Sequence, residues 1–148
     1  MPRSSTLLVF PDVNVWVALT LESHIHNAIA ARWLAGVRAD SRICFCRITQ
    51  LSLLRLLTTE AVMGAQVLGQ RDAWKVYDRW LEDTRITYVD EPAGLEAALR
   101  AQSQGKRSSP KEWTDSYLVA FAASAGFTLV SFDRSFRNKT KNLILLTD

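Results

Sequence analysis

The 148 residues, 48% of them hydrophobic and 22% charged, are enough to bury one core, so we expect a single domain over residues 1–148. The apolar runs are too short, and too often broken by charge, to cross a membrane, and the first residues lack a signal-peptide pattern. We therefore expect a cytoplasmic protein without a membrane partner. A formal net charge of +3 is compatible with an anionic partner but does not require one.

Segments typical of strands and of helices alternate along the first half of the chain. Continuous apolar runs predict strands, and apolar residues at helical spacing predict helices. Thr49 has a capping side chain and is expected to begin the third helix. In chain order we expect a strand at 6–10, helices at 13–19 and 27–34, a strand at 42–46 and a helix at 49–63.

The second half of the chain continues this alternation. We expect a helix at 71–84, a strand at 86–90, a helix from Pro92 and Gly94 to Gln104, a loop at 105–112, a helix at 113–126 that Gly126 ends, and strands at 127–133 and 142–147. Strands that alternate with helices predict an α/β fold, in which helices cover both faces of a parallel sheet.

Three carboxylates stand where such a sheet binds ligands, at the carboxyl ends of its strands. Asp12 follows the first strand, Asp133 ends the strand at 127–133, and Asp115 lies in the first turn of a helix that Thr114 can cap. Each position is also common for an ordinary turn or helix-start residue. If the first and fourth strands are neighbours, the three side chains come together, and such a group of like charges persists when Mg²⁺ or Mn²⁺ holds it.

Three motifs carry a resemblance to a known family. The segments "PDVNVWVAL", "WTDSYLVAFAASAG" and "LVSFDRSF", in this order, resemble a PIN domain and more narrowly the VapC-type toxins of type II toxin–antitoxin modules. The resemblance implies a three-layer α/β/α fold with strand order 3-2-1-4-5. It also implies a Mg²⁺- or Mn²⁺-dependent endoribonuclease that acts on RNA, a small antitoxin that blocks it, and a homodimer.

The resemblance also assigns the site residues. The family's acids correspond to Asp12, Asp115 and Asp133, which would be catalytic and would hold the metal. The family's asparagine corresponds to Asn14, which would support the site by hydrogen bonding and is counted with the catalytic residues. Ser131, where the family has Ser or Thr, would steady the loop that carries Asp133.

One position departs from the family pattern. The fourth acid of the family, a Glu on the helix after the second strand, corresponds to Ser52, so we expect one weakly held ion rather than two. Glu112, one helical turn before Asp115, or Asp90 and Glu91 after the third strand would compensate. The same departure supports an alternative, in which a PIN scaffold has lost its nuclease activity and only binds RNA or an antitoxin.

Basic residues concentrate late in the chain, in the segments 105–111 and 134–142. Solvated loops have this composition, and so do loops that hold a phosphate backbone. Because both segments adjoin an acidic motif, we expect Lys139 and Lys141 to bind the RNA substrate.

Several other conspicuous residues are interpreted as structural. Cys44 and Cys46 are expected to be reduced strand residues, and His24 and His26 to lie in a surface loop without a third metal ligand. The aromatic face of the helix at 71–84 is expected in the core or in a dimer interface, with stacking on bases as the alternative. Trp113 is expected to pack, with stacking near the site as the alternative. Arg55 is a candidate for binding a phosphate or an antitoxin carboxylate. The residues of this aromatic face are Trp74, Tyr77, Trp80 and Leu81.

A second enzyme class also places an Asp after its first strand. Haloacid-dehalogenase phosphatases require a second Asp two residues further on, where this chain has Asn14. They also need a Lys and a later acidic pair for which the sequence offers no clear positions. Metal-dependent RNA cleavage that is lost in Asp12→Asn distinguishes the nuclease from both alternatives.

Overall fold

The computed structural model describes residues 7–147, and its centre is a five-stranded sheet. All strands are parallel, and their order is β3-β2-β1-β4-β5, as the resemblance implies. The strands are β1 (Leu8–Pro11), β2 (Arg42–Phe45), β3 (Ile86–Tyr88), β4 (Thr128–Ser131) and β5 (Leu143–Leu145). The predicted fold class is therefore confirmed.

Helices cover both faces of this sheet. They are α1 (Val13–Thr20), α2 (Asn27–Gly36), α3 (Arg47–Leu57), α4 (Glu60–Met63), α5 (Gln70–Leu81), α6 (Leu95–Gln102) and α7 (Glu112–Ala125). Short 3-10 turns follow α4 at Gly64–Gln66 and β4 at Arg134–Asn138. Within residues 7–147, no helix is long and apolar enough to cross a membrane.

Two hydrophobic cores lie on opposite faces of the central strand β1. Val9 and Phe10 are both fully buried, and because successive strand residues point to opposite faces, they enter different cores. Trp16 of α1 stacks on Phe45 of β2 in the first core, with ring centroids 3.8 Å apart. Phe10 stacks on Phe121 of α7 in the second core at 4.9 Å. A strand that is buried on both faces requires the uninterrupted apolar sequence that β1 has.

The aromatic face of α5 packs mainly as predicted. Tyr77 is buried, and the half-buried Trp80 donates its indole N–H to the Thr20 hydroxyl of α1 at 2.9 Å. Trp74 and Leu81 remain 45% and 36% exposed. The face therefore joins α5 to the first core and leaves part of its surface uncovered.

Both predicted helix caps are wrong by a few residues. α3 begins at Arg47 with Cys46 as its cap, and the Thr49 hydroxyl accepts a hydrogen bond from the Cys46 N–H at 3.0 Å from inside the first turn. α7 begins at Glu112, so Thr114 is its third residue and is exposed. A threonine inside the first turn can serve the backbone of the cap residue, so its presence does not fix where a helix begins.

The predicted helix at 49–63 is divided in two. Thr58 and Thr59 lie between α3 and α4. Both hydroxyls donate to the Arg55 carbonyl of the preceding turn, at 3.0 Å from Thr58 and 2.6 Å from Thr59. Such local side-chain bonds compete with continuation of the helix.

The two cysteines are free and buried, as a reduced pair should be. Burial raises the pKa of the Cys44 thiol to about 11 and also raises the pKa of Cys46. Both thiols are therefore protonated near neutral pH and act as small apolar side chains.

Gly126 ends α7 as predicted, with a φ of 74°, and a Cβ at this position would meet no atom within 4 Å. We expect Gly126→Ala to lower the free energy of unfolding by about 1–2 kcal/mol, because the left-handed conformation strains any residue with a Cβ. Gly36, the last residue of α2, also has open space around it but no positive φ, so Gly36→Ala is the matched control and should not destabilise. Urea unfolding of both variants measures the difference, and equal stabilities would contradict the assigned strain.

Candidate active site

The carboxyl ends of β1 and β4 lie side by side and bring Asp12 beside residues 131–133. The Asp12 N–H donates to the Val130 carbonyl at 2.8 Å, which extends the pairing of the two strands by one residue. One carboxylate oxygen of Asp12 accepts the Val13 N–H at 2.7 Å and so caps α1. The charge at the tip of the buried strand thus also begins the helix that follows.

The Ser131 hydroxyl joins the first and last motifs. It donates to Asp12 Oδ2 at 3.0 Å and accepts from the Asp133 N–H at 3.0 Å and from Asn14 Nδ2 at 3.3 Å. A hydroxyl has one donor and two acceptor positions, so these three bonds use all of them. Because Ser131 is fully buried, the positions of Asp12 and Asp133 are fixed relative to each other.

Asn14 connects α1 to the loop after β4. Its amide nitrogen donates to Ser131, and its Oδ1 accepts from the Phe132 N–H at 3.4 Å. These contacts suit a residue that holds the loop in place. A catalytic role for Asn14 stays a prediction.

The other two acids approach from α7 and from the turn after β4. Asp133 is exposed, and its carboxylate accepts the Ser135 N–H at 2.9 Å, which caps the 3-10 turn Arg134–Asn138. The Asp115 side chain is about three-quarters buried, with 25% of its surface exposed, and its Oδ2 lies 3.0 Å from the ammonium of Lys139. Lys139 follows the 3-10 turn that Asp133 begins, so one short segment supplies an acid and the cation that pairs with another acid.

The charges of Asp115 and Asp133 act on the ionisation of Asp12. Burial raises the pKa of Asp12, and the negative charges of Asp115 and Asp133 raise it further, while hydrogen bonds from Ser131 and the Val13 N–H act in the opposite direction. We call Asp12, Asp115 and Asp133 the acidic site. Within residues 7–147, no group of three or more His, Cys, Asp or Glu side chains is placed so that it could hold a metal ion. Metal binding by the acidic site therefore stays a prediction.

The remaining predicted residues are distributed around this edge of the sheet. Lys141 is exposed, whereas Lys139 is engaged with Asp115. Ser52 is half-buried in α3, and Glu112 is the exposed first residue of α7.

Glu91, after β3, accepts a hydrogen bond from the Tyr117 hydroxyl of α7 at 2.7 Å, and Asp90 beside it is exposed. Burial, and next the bond to Glu91, raise the pKa of Tyr117. The pair ties the loop after β3 to the helix of Asp115.

Sequence reasoning missed two contacts near the acidic site. The Lys139–Asp115 pair joins residues 24 positions apart. The His26 ring stacks on Phe132, between Ser131 and Asp133, with centroids 4.6 Å apart, so the loop predicted at His24 and His26 reaches the site. Both contacts depend on how distant segments pack, and no local pattern signals them.

Comparison with known proteins identifies the family. The PIN domain family model matches residues 9–142, and the chain therefore belongs to the PIN domain family. This match rejects the haloacid-dehalogenase alternative. The chain is 46% identical over 129 residues to Ribonuclease VapC41 of Mycobacterium tuberculosis, an alignment that covers 84% of this chain and 88% of that protein. It is 29% identical over 130 residues to Ribonuclease VapC38 of the same organism, with 82% of each chain covered.

Solved structures share this fold. VapBC2 from Rickettsia felis, crystallised with a DNA fragment from its promoter, superposes with a TM-score of 0.66 at 16% identity, covering 94% of this chain and 97% of that one. VapC20 from Mycobacterium tuberculosis, a toxin that cleaves the sarcin–ricin loop, superposes with a TM-score of 0.63 at 18% identity, covering 88% and 93%.

Asp12 gives the acidic site a pH dependence whose sign is defined. Its pKa is raised above the ordinary 3.8, so ionising the carboxyl group costs more free energy in the folded than in the unfolded chain. The folded state therefore loses stability as the pH rises from the pKa of the unfolded chain through the higher pKa of the folded chain. We expect Asp12→Asn, measured in EDTA, to gain free energy of unfolding relative to the parent between about pH 3 and pH 7.

Asp40→Asn is the matched control for this prediction. Asp40 forms a surface pair with Arg38 in which the two side chains are 48% and 57% exposed, and such pairs contribute little. Urea unfolding across the pH range should give a nearly constant difference for Asp40→Asn. A constant difference for Asp12→Asn as well would contradict the raised pKa.

Proposed function

We propose that this protein is a Mg²⁺- or Mn²⁺-dependent endoribonuclease and the toxin component of a toxin–antitoxin module. The observation that carries the proposal is the gathering of Asp12, Asp115 and Asp133, from three distant segments, closely enough that two of these charges raise the pKa of the third. Perturbed acids at the switch point of a parallel sheet are typical of catalytic sites. Membership of the PIN domain family and the similarity to VapC ribonucleases support the same conclusion.

The acidic site has the donor chemistry of a hard divalent cation. All three of its side chains present carboxylate oxygens, the ligands that Mg²⁺ and Mn²⁺ prefer. When bound, such an ion lowers the pKa of a water and offsets the charge of a phosphate. Ser131 and Asn14 keep the acids in place, and a carboxylate oxygen not engaged with the ion orients or deprotonates the attacking water.

Lys139 is the counter-ion of Asp115 in this structure. Its ammonium neutralises a three-quarters-buried carboxylate beside two further acids. A divalent ion held by Asp115 would compete with the ammonium for the same oxygen and would displace Lys139. The displaced side chain would then be available, with Lys141, to hold the phosphate backbone of RNA.

Exposed apolar side chains on α3 and α5 suit a protein partner. Leu51 is 51% and Trp74 45% exposed, and both line a groove that also contains Arg55. We assign this groove to the antitoxin, with Arg55 pairing an antitoxin carboxylate. We further take the chain to be a single PIN domain that forms homodimers in the cytoplasm.

A second candidate function rests on Ser52. The family's fourth acid is replaced by a half-buried serine, which adds no negative charge to the site. A scaffold that binds RNA or an antitoxin without cleaving it would tolerate this change. Metal-dependent cleavage separates the two candidates.

The nuclease proposal predicts cleavage of RNA that requires both the metal and the three acids. Purified protein incubated with total RNA and Mn²⁺ should produce defined cleavage ends, mapped by sequencing, and EDTA should abolish them. Asp12→Asn, Asp115→Asn and Asp133→Asn should each lower the rate by at least about 100-fold, because each removes a charged ligand. Asp40→Asn should cleave like the parent. Binding of RNA without any cleavage would favour the scaffold instead.

If a divalent ion displaces Lys139 from Asp115, Lys139 should weaken metal binding. Lys139→Met should raise the Mn²⁺ affinity by up to roughly fivefold, the equivalent of about 1 kcal/mol for a partly exposed ion pair. The same variant should be less stable in EDTA, since Asp115 loses its counter-ion. Calorimetric titration measures the affinity and urea unfolding the stability.

Lys141→Met is the matched control for this exchange. It removes an exposed lysine near the same turn without touching Asp115. Its Mn²⁺ affinity should equal that of the parent, whereas its RNA binding should weaken and lose salt dependence. If Lys139→Met also bound Mn²⁺ with the parent's affinity, the exchange would not occur.

A further inference from the structure

A cavity of about 270 Å³ opens beside the first turn of α7. It lies between the end of α6, the loop at 103–111 and the start of α7. Trp113 and Ser116 of α7 line it, and so do Arg107 and Ser109 of the loop. Asp115 lies between Trp113 and Ser116 in sequence but does not line the cavity.

Trp113 forms one side of this cavity and does not belong to a core. It is 63% exposed, the most exposed of the five tryptophans. The buried residues of α7 begin only at Ser116, so packing of the helix does not explain an aromatic residue here, and the expectation that Trp113 packs is wrong. In the part of the chain that the structure describes, no aromatic ring stacks on this indole. Its face is therefore available to a planar ligand.

The polar groups of the cavity narrow the chemistry of that ligand. Arg107 supplies donors, Glu112 supplies acceptors, and Ser109 and the buried Ser116 supply both. A simple anion would meet the Glu112 carboxylate, and an aliphatic ligand would leave the polar groups unpaired. A nucleobase satisfies both requirements, because it has a flat face for stacking and an edge with donors and acceptors.

The cavity and the acidic site share the first turns of α7 but lie on different sides of that helix. Trp113 and Asp115 are two residues apart, a rise of ~3 Å along the helix axis and a rotation of about 200° around it. Ser116, which lines the cavity, follows Asp115 directly. An RNA strand whose phosphate lies at the acidic site reaches this indole by passing around the start of α7, with a base some nucleotides away from the cleaved bond.

We propose that this cavity is a nucleobase subsite, in which Trp113 stacks on an unpaired RNA base near the scissile phosphate along the strand and Arg107, Glu112 and Ser109 contact the edge of that base. The subsite selects a nucleotide that flanks the cleavage position. This inference rests on the proposed ribonuclease function, which it extends from cleavage to the choice of the sequence that is cleaved.

RNA binding in EDTA tests the subsite independently of cleavage. Short homopolymeric oligoribonucleotides of A, C or U, labelled for fluorescence anisotropy, are titrated with the parent, Trp113→Ala, Trp113→Phe and Val62→Ala. Trp113→Ala should weaken binding of the preferred oligomer by about 5- to 150-fold, the effect of losing one stacked base. Trp113→Phe should retain most of the affinity, and Val62→Ala, which shortens an exposed apolar side chain on α4, should bind like the parent.

Two further readouts distinguish stacking from other roles of Trp113. The salt dependence should be the same in Trp113→Ala and the parent, because no ionic contact is lost. Discrimination among the A, C and U oligomers should fall in both Trp113→Ala and Arg107→Ala, so the second variant tests the proposal even if the first does not fold.

Three outcomes would overturn the subsite. The first is parent-like affinity and discrimination in a folded Trp113→Ala, and the second is an equal loss of affinity in Val62→Ala. The third is a change of oligomeric state in Trp113→Ala with unchanged RNA affinity, which would assign Trp113 to a contact between copies. Binding through Trp113 in EDTA without cleavage in Mn²⁺ would instead refute the nuclease and leave the subsite standing.

Discussion

The hydrogen bond from the buried Ser131 hydroxyl to Asp12 joins the two strands on which the rest of the site is built. The same oxygen accepts from Asn14 and from the backbone of Asp133, so one atom fixes a helix start, a strand end and a loop together. Because Ser131 has no exposed surface, water does not compete for these bonds. The separation between Asp12 and Asp133 is thus set by the sheet rather than by flexible loops.

That rigidity keeps like charges together in an environment that opposes ionisation. Burial and repulsion raise the pKa of Asp12. The Lys139 ammonium offsets the negative charge of Asp115 nearby. Lys139 is held near that position by the 3-10 turn whose Phe136 is fully buried. Under the proposed function, a divalent cation would offset the same repulsion more completely than one ammonium does.

The first turns of α7 contribute to two features on different sides of the helix. Asp115 belongs to the acidic site, whereas Trp113 and Ser116 line the cavity. The Tyr117–Glu91 bond and the stacking of Phe121 on Phe10 fix the same helix against the sheet. A base held in the cavity and a phosphate at the acidic site would therefore be positioned by one rigid element, which is how a nuclease converts base recognition into a cleavage position.

The sequence by itself determined the fold class and, through its resemblance to the PIN family, the strand order, and it predicted the three acids of the site. Apolar runs and helical spacing are local patterns, so they located most elements, and Gly126 located a helix end. The sequence patterns wrongly placed the starts of α3 and α7 at Thr49 and Thr114, because a capping side chain can also bind the backbone from inside the first turn.

Only the tertiary structure decided how the acids are arranged and which side chains serve them. The Lys139–Asp115 pair, the bonds of Ser131 and the stacking of His26 on Phe132 join residues far apart in sequence. The exposure of Trp113 likewise follows from where the loop at 103–111 lies and not from helical spacing. Sequence patterns report which residues share a face of one element, whereas distances between elements, and the charges that they bring together, arise from packing alone.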